Sequence, residues 1–330
     1  MSKEQTNEEL IQARIELEAK AESLQIDAAE RKFEINFTDQ KMIKTVMDHL
    51  NKGVTWKTAD AAVIVTLYDN LKKQNKEYES KLFSSYDLIG DSKNTINIID
   101  QIKKTSLTES RVFIHGPSGS GKELVARKIH KNSLRNKDPF IILNGALLDS
   151  NKYELELFGE EKENGSISYG ALEKANKGTL LIDQISEIPL DIQSKILRVL
   201  TDQKFKRVNG NSDVSVDVRL ICSSSKDLKK EIQIGNFRED LFHRINVFEI
   251  NIEPLSQRIS DIPLLIKYFS KKIAENYNIK ELEIDENNSY ILNHNWKGNV
   301  RELRNLIERI AILQPDTKDK NYNIIKESIK

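Results

Sequence analysis

The sequence predicts an α/β fold, a parallel sheet flanked by helices, with a C-terminal helical subdomain behind it and a helical N-terminal region before it. Three observations predict it. From Tyr86 onward short apolar runs alternate with amphipathic helical stretches, the pattern of strand–helix–strand crossovers. Past Pro254 the short runs stop and only helical periodicity remains, to about Leu313. The glycines near 116–121 fall between the first apolar run and a helical stretch, at a strand–loop–helix junction.

The elements follow in order. Residues 1–85 read as helical. Thr6 and Glu9 fit a capping box, each side chain answering the other's free backbone N–H. Leu10, Leu17 and Leu24 recur every seven residues, as a short coiled-coil seam or a charged helix docked on a neighbour. A second helix is expected from Thr38 to Gly53, with Ile43, Val46, Met47 and Leu50 on one face. A third follows Thr58, with Ile64, Leu67, Tyr68 and Leu71 on one face, and gives out in the polar stretch Lys72–Lys81. This region has neither strand–helix alternation nor an acidic pair after a first strand, so it is not a phospho-acceptor receiver, and its function is not legible.

Residues 86–253 should form the sheet, from the runs Val112–His115, Phe140–Asn144, Thr179–Asp183, Val218–Ser223 and Val247–Ile252. Residues 254–313 should form a helical subdomain, and 314–330 a polar, loosely held tail.

The bulk composition narrows the class. Apolar residues make up 38% and charged residues 31%, which suits a globular chain with well-solvated surfaces. Lysine plus arginine and aspartate plus glutamate balance at 51 each, so no global charge draws the chain to nucleic acid or membrane. No stretch approaches the roughly 20 apolar residues of a membrane span, and the polar, acidic start resembles no targeting segment. Cys222 is the only cysteine, which allows no intrachain disulfide. It sits in an apolar run and reads as a packed core residue. The expected location is the cytoplasm.

The chemistry concentrates in Gly116-Pro117-Ser118-Gly119-Ser120-Gly121-Lys122-Glu123, a match to G-x-x-x-x-G-K. Glycines let the backbone curl so that successive N–H groups converge on phosphate oxygens. The following helix start adds its partial positive charge, and Lys122 supplies a point charge at the β/γ-phosphates. Glu123 stands where a Ser or Thr normally helps hold Mg²⁺. Downstream, Gly178-Thr-Leu-Leu-Ile-Asp183 is an apolar run ending in a carboxylate, where phosphate-loop ATPases position Mg²⁺. Asp183 alone would also serve as a strand-end cap. The next residue, often a water-activating Glu, is Gln184, whose amide can orient a water but cannot take its proton.

With those residues in view, Tyr86 to about Leu313 resembles the central AAA+ domain of bacterial enhancer-binding proteins, ATPases that remodel sigma-54 RNA polymerase. The resemblance runs through Leu88-Ile89-Gly90, GPSGSGKELVARKIH from Gly116, Glu156-Leu-Phe-Gly159 and GTLLIDQISEIP from Gly178. Ile196-Leu-Arg-Val-Leu200, Phe237-Arg-Glu-Asp-Leu241 and Gly298-Asn-Val-Arg-Glu-Leu303 complete it. In this family Glu123 is the usual residue. The resemblance implies that Lys122 and Asp183 hold ATP and Mg²⁺, with Ile89 and Gly90 also at the nucleotide. It makes Asn144 the switch for the water-activating position, Ser225 the first sensor, and Arg301 the sensor arginine of the helical subdomain. Arg238 and Arg244 would be offered to the neighbouring subunit's ATP in a hexamer-type ring. From the residues alone, Arg238 and Arg244 equally suit surface pairs with Glu239 and Asp240, and Arg301 a pair with Glu302 or Glu308.

Departures from the family pattern shape the functional expectation. The sigma-54-contacting string GAFTGA is missing after the ELFG motif. A shorter segment, Glu160-Glu-Lys-Glu-Asn-Gly-Ser-Ile-Ser-Tyr-Gly170, stands in its place, as expected of NtrX-type response regulators of two-component systems. Gln184 replaces the family Glu, and Lys297 a usual proline. In this sequence no receiver is read ahead of the module and no helix-turn-helix DNA-binding domain is visible after it. The expected function is an ATP-binding transcriptional-regulatory module, weak in hydrolysis, self-assembling, and acting on RNA polymerase or another transcription component. An active AAA+ motor, with Gln184 still placing water, and a non-catalytic oligomerisation scaffold remain open alternatives.

Overall fold

The computed structural model describes residues 87–313, apart from 147–151, 164, 281 and 283, together with 325 and 326. The helices expected in residues 1–85, and most of the polar tail, lie outside the described residues. Residues 87–160 and 170–313 belong to one compact unit, and residues 161–169 to a second.

In the first unit, helix α1 (Lys93–Ser106) precedes strand β1 (Val112–His115), which feeds α2 (Lys122–Lys131). Then come β2 (Phe140–Asn144) and the short α3 (Tyr153–Phe158). Strands β3 (Gly159–Glu161) and β4 (Ile167–Tyr169) bracket the segment that stands in place of the GAFTGA string. Within the second unit the Lys162 N–H bonds the Ser166 carbonyl at 2.9 Å. The chain continues through α4 (Ala171–Lys174), β5 (Thr179–Asp183) and α5 (Leu190–Asp202). A small antiparallel ribbon of β6 (Lys204–Lys206) and β7 (Asp213–Ser215) leads to β8 (Arg219–Ser224). Helices α6 (Leu228–Gln233) and α7 (Glu239–Ile245) and strand β9 (Phe248–Asn251) complete the sheet layer. After Leu255 the elements among the described residues are helical, chiefly α8 (Asp261–Tyr277), α9 (Ser289–Asn293) and α10 (Asn299–Leu313). Each of the five expected apolar runs is a strand, within one residue of its expected bounds.

The main sheet has the order β2-β5-β8-β1-β9 and is parallel throughout. Successive residues of a strand face opposite sides, so β2, β5, β8 and β1 serve two cores while the edge strand β9 serves one. Phe113, Leu143, Leu180, Ile182, Leu220 and Cys222 pack on the face covered by α3, α5 and α7. Val112, Ile114, Leu181, Ile221 and Ile250 pack on the other, against Ile98 and Ile102 of α1 and Val125 and Ile129 of α2. Cys222 is buried, and burial pushes its thiol pKa up, which keeps it protonated and inert. The later helices enclose a third core around Trp296, Ile266, Phe269, Leu303 and Ile307. Ile325, which composition assigns to the polar tail, is buried in that core.

α2 is pinned to the sheet by a buried imidazole. The His130 Nδ1 lies 2.9 Å from the Thr179 Oγ1, and its ring packs 5.1 Å from that of Phe140. Burial, chiefly, lowers its pKa to about 4. The folded state therefore resists a proton that the unfolded chain takes up near pH 6.5. No cost arises above that pH, and stability falls as pH drops from about 6.5 toward 4. The slope should approach 1.4 kcal/mol per pH unit. In urea melts the H130N variant should have a flatter profile over that window than the parent. An unchanged slope would show that another group carries the acid sensitivity.

Candidate nucleotide site

The segment 116–123 leaves the C-terminal end of β1, where that strand lies between β8 and β9, and opens α2. Crevices at the carboxyl ends of parallel strands are where such sheets take ligands. The Gly116 N–H donates to the Ser224 carbonyl at 3.3 Å, tying the loop to the neighbouring strand. Gly119 has φ +75°, and a Cβ there would collide with the Gly298 carbonyl oxygen, so only glycine fits. Ser120 is buried, and its Oγ makes no hydrogen bond among the described residues. A phosphate oxygen would satisfy that hydroxyl. Glu123 pairs with Arg127 one turn along α2, at 2.7 Å.

Lys122 is only 6% exposed. Its ammonium donates to the carbonyls of Gly116 at 2.8 Å and Pro117 at 3.2 Å, and to the Ser225 Oγ at 2.9 Å. Those three bonds use all its donors. Burial lowers its pKa, Asp183 works against that fall, and Arg301 adds to it. A buried ammonium surrounded by carbonyls and a second cation is an environment that an anion would relieve.

Parallel pairing sets Asn144 beside Asp183 on the adjacent strand. Asp183 accepts a short hydrogen bond from the Ser223 hydroxyl. Gln184 adopts a left-handed backbone (φ 57°), which starts the turn Ile185–Glu187. Its amide is held at both ends by Ser225: Nε2 donates to the Ser225 Oγ at 2.8 Å, and Oε1 accepts from the Ser225 N–H at 3.1 Å. The Asn144 Oδ1 accepts from the Ala146 N–H at 2.9 Å. Glu187 is an ion-pair partner of Lys226 at 2.9 Å.

The helical layer closes over the loop from outside. The Arg301 Nη1 reaches the Ser118 Oγ at 3.3 Å, and its N–H reaches the Gly119 carbonyl. Glu302 and Glu308, its expected partners by local spacing, are bonded instead to His294 and Tyr277. Asn299 joins the layers: its Nδ2 donates to the Ser118 carbonyl at 2.9 Å, and its Oδ1 accepts from the Leu255 N–H at 2.8 Å. Asn299 was visible in the sequence as part of the GNVREL motif, yet nothing local marked it as the clasp.

The lead-in segment is held from the same side. Ile89 packs against the helical core and Leu88 against the sheet. Gly90 lies so close to Asp261 that a Cβ would strike its carboxylate. Arg238 and Arg244 sit away from this constellation. The Arg238 guanidinium pairs with Asp240 at 2.7 Å and with the Ser194 Oγ at 3.1 Å, and the Arg244 Nη2 bonds the Leu200 carbonyl at 3.2 Å. The site therefore brings together the loop, Lys122, Asp183, Gln184, Ser225 and Arg301, and leaves the other two arginines on the surface.

A parallel sheet with a glycine-rich phosphate loop, a strand-end aspartate and an arginine-bearing helical layer defines a phosphate-loop nucleotide-binding module of the AAA+ class. Residues 88–251 match the sigma-54 interaction domain family, and residues 256–325 match an AAA+ ATPase lid domain. The chain belongs to the sigma-54 interaction domain family of AAA+ regulators. It is 40% identical over 260 residues to the nitrogen assimilation regulatory protein NtrX of Azorhizobium caulinodans, covering 77% of this chain and 57% of that one. It is 41% identical over 259 residues to a putative NtrX-like response regulator of Rickettsia typhi, covering 78% of this chain and 54% of that one. The crystal structure of Brucella abortus NtrX in complex with ATP superposes with a TM-score of 0.70 at 39% identity, over 84% of this chain and 67% of that one. The chain thus spans just over half the length of the curated relatives it matches. Among the described residues no helix is long and apolar enough to cross a membrane.

Proposed function

We propose that this chain is an ATP-binding regulatory module of the NtrX type, which assembles with copies of itself and acts on a component of the transcription machinery without touching sigma-54. Residues 86–253 would form its nucleotide-binding part and 254–313 its lid. The loop 116–123 would wrap the triphosphate, Ser120 and Lys122 would meet its oxygens, and Arg301 would reach the same phosphates from the lid. Asp183 would hold Mg²⁺. Among the described residues no three acidic, histidine or cysteine side chains converge as a metal cage. Mg²⁺ in phosphate-loop sites is generally held through one or two carboxylates plus substrate phosphates. Arg238 and Arg244, both surface groups, would face a neighbouring subunit's nucleotide and there stabilise phosphate charge.

The observation that carries the weak-hydrolysis reading is the clasp between Gln184 and Ser225. The amide is not a proton acceptor, and both of its ends are engaged. Restoring a carboxylate should therefore help only in part. In Q184E the new carboxylate would accept from the Ser225 N–H and hydroxyl, which lowers its basicity. Turnover should rise by about tenfold, below the roughly 10²- to 10⁴-fold that a free general base supplies. ATP binding and steady-state phosphate release on both proteins test this reading. Failure to bind ATP at millimolar concentration would remove it. A parent turnover near 1 s⁻¹, the low end of ordinary enzymes, would favour an active motor.

A further inference from the structure

Gln193, on the first turns of α5, is 0% exposed. Its Nε2 donates to the Ile188 carbonyl at 2.8 Å and to the Asn236 carbonyl at 3.0 Å, and its Oε1 accepts from the Arg238 N–H at 2.9 Å. Burying an amide among apolar side chains is costly unless its bonds are made. Its bond to Ile188 is local, and its bonds to Asn236 and Arg238 span 43 and 45 positions, so together they join two segments distant in sequence. One is the turn after β5. It is tight, with Glu187 N–H bonding the Gln184 carbonyl at 3.0 Å and Ile188 N–H the Ile185 carbonyl at 3.3 Å, so the backbone ties Gln184 to Ile188. The other is the loop entering α7, which carries Arg238. The neighbouring Ser194 accepts from the same arginine's Nη1.

The chain of contacts begins at the ammonium. Lys122 bonds Ser225, Ser225 bonds Gln184, Gln184 heads the turn, Ile188 bonds Gln193, and Gln193 holds the backbone of Arg238. A phosphate that draws Lys122 away from Ser225 changes the first link. We infer that Gln193 is a positioning residue: it fixes the Arg238 main chain and transmits the occupancy of the chain's own nucleotide site to that arginine. This inference rests on the proposed reading of Arg238 as a group presented to a neighbouring copy.

The test uses the full chain, ATP, and three variants: Q193M, R238A and the double. Light scattering reads ATP-driven self-association, and calorimetry on dilute protein reads ATP affinity. Q193M should keep its ATP affinity within about twofold of the parent. It should weaken assembly by about tenfold, the scale of one lost charge-assisted contact, and the double variant should be no worse than R238A alone. Additive defects, or a Q193M that assembles as the parent does while R238A fails, overturn the inference. If R238A assembles like the parent, the ring reading itself falls. A second arm needs no variant at Gln193. In dilute parent protein, hydrogen exchange of the amides from Asn236 to Glu239 should change on adding ATP, and in K122A it should not. Protection of the loop 116–123 with no change at 236–239 also overturns the inference, whatever the state of assembly.

Discussion

K122A is expected to bind ATP about 10²-fold more weakly than the parent, with little loss of stability. The physical reason is that the ammonium is desolvated before any ligand arrives. It is nearly buried, its pKa is lowered by that burial, and it rests on two loop carbonyls and a serine hydroxyl. Polar contacts of this kind offset the desolvation only in part. A triphosphate supplies the countercharge. Removing one partner from a buried, hydrogen-bonded charge pair costs roughly 2–5 kcal/mol, and each 1.4 kcal/mol is about tenfold in affinity. In the ligand-free protein the same deletion also removes an unfavourable buried charge, so the urea midpoint should shift little. Calorimetric titration with ATP gives the affinity, and a urea melt gives the control. An affinity within about threefold of the parent, under 1 kcal/mol, would mean that the backbone amides alone bind the nucleotide.

Much of this arrangement was legible because it is local. Strand runs, the loop glycines and the lysine lie within a dozen residues of one another, and each carries its own signal of period, φ preference or charge. The register that brings Asn144 beside Asp183 follows from two such runs pairing in parallel. What the sequence concealed depends on partners brought close only by the closed fold. Gln184 reads as a lost base, yet its clasp to Ser225 spans 41 positions. Gln193 reads as one polar residue on an amphipathic helix, and nothing nearby reveals that it is fully buried. Arg301 has two acidic residues nearby in sequence, Glu302 and Glu308; both are bonded to other groups, and its own side chain reaches the phosphate loop. The residues alone leave a surface pair open there, and the tertiary contact with the Ser118 hydroxyl is visible only in the fold.

Asp261 illustrates the same point with the largest expected effect on stability. It is completely buried at the start of α8, and its carboxylate gathers groups from two other elements. The Ser92 N–H and hydroxyl bond it at 2.8 and 2.9 Å, Thr95 at 2.6 Å, and Arg258 at 3.3 Å. Burial lowers the Arg258 pKa, and Asp261 is the main influence opposing that fall. The Gly90 backbone, in a φ +150° conformation, lies directly against the carboxylate. One acid therefore fastens the lead-in segment, the start of α1 and the lid together. D261A should lower unfolding free energy by about 3–5 kcal/mol, because it leaves the Arg258 guanidinium buried without its countercharge. D261N keeps hydrogen-bonding capacity toward Ser92 and Thr95 but not the charge, and should lose less. Because Ile89 and Gly90 would come loose with it, the alanine variant should also bind ATP more weakly than its stability loss alone explains, with the asparagine variant between it and the parent. Urea melts and ATP titrations on the three proteins decide the matter. A D261A variant within about 0.5 kcal/mol of the parent, the range of an ordinary surface substitution, would show that the lid and the lead-in segment are held by apolar packing and that the buried pair is incidental.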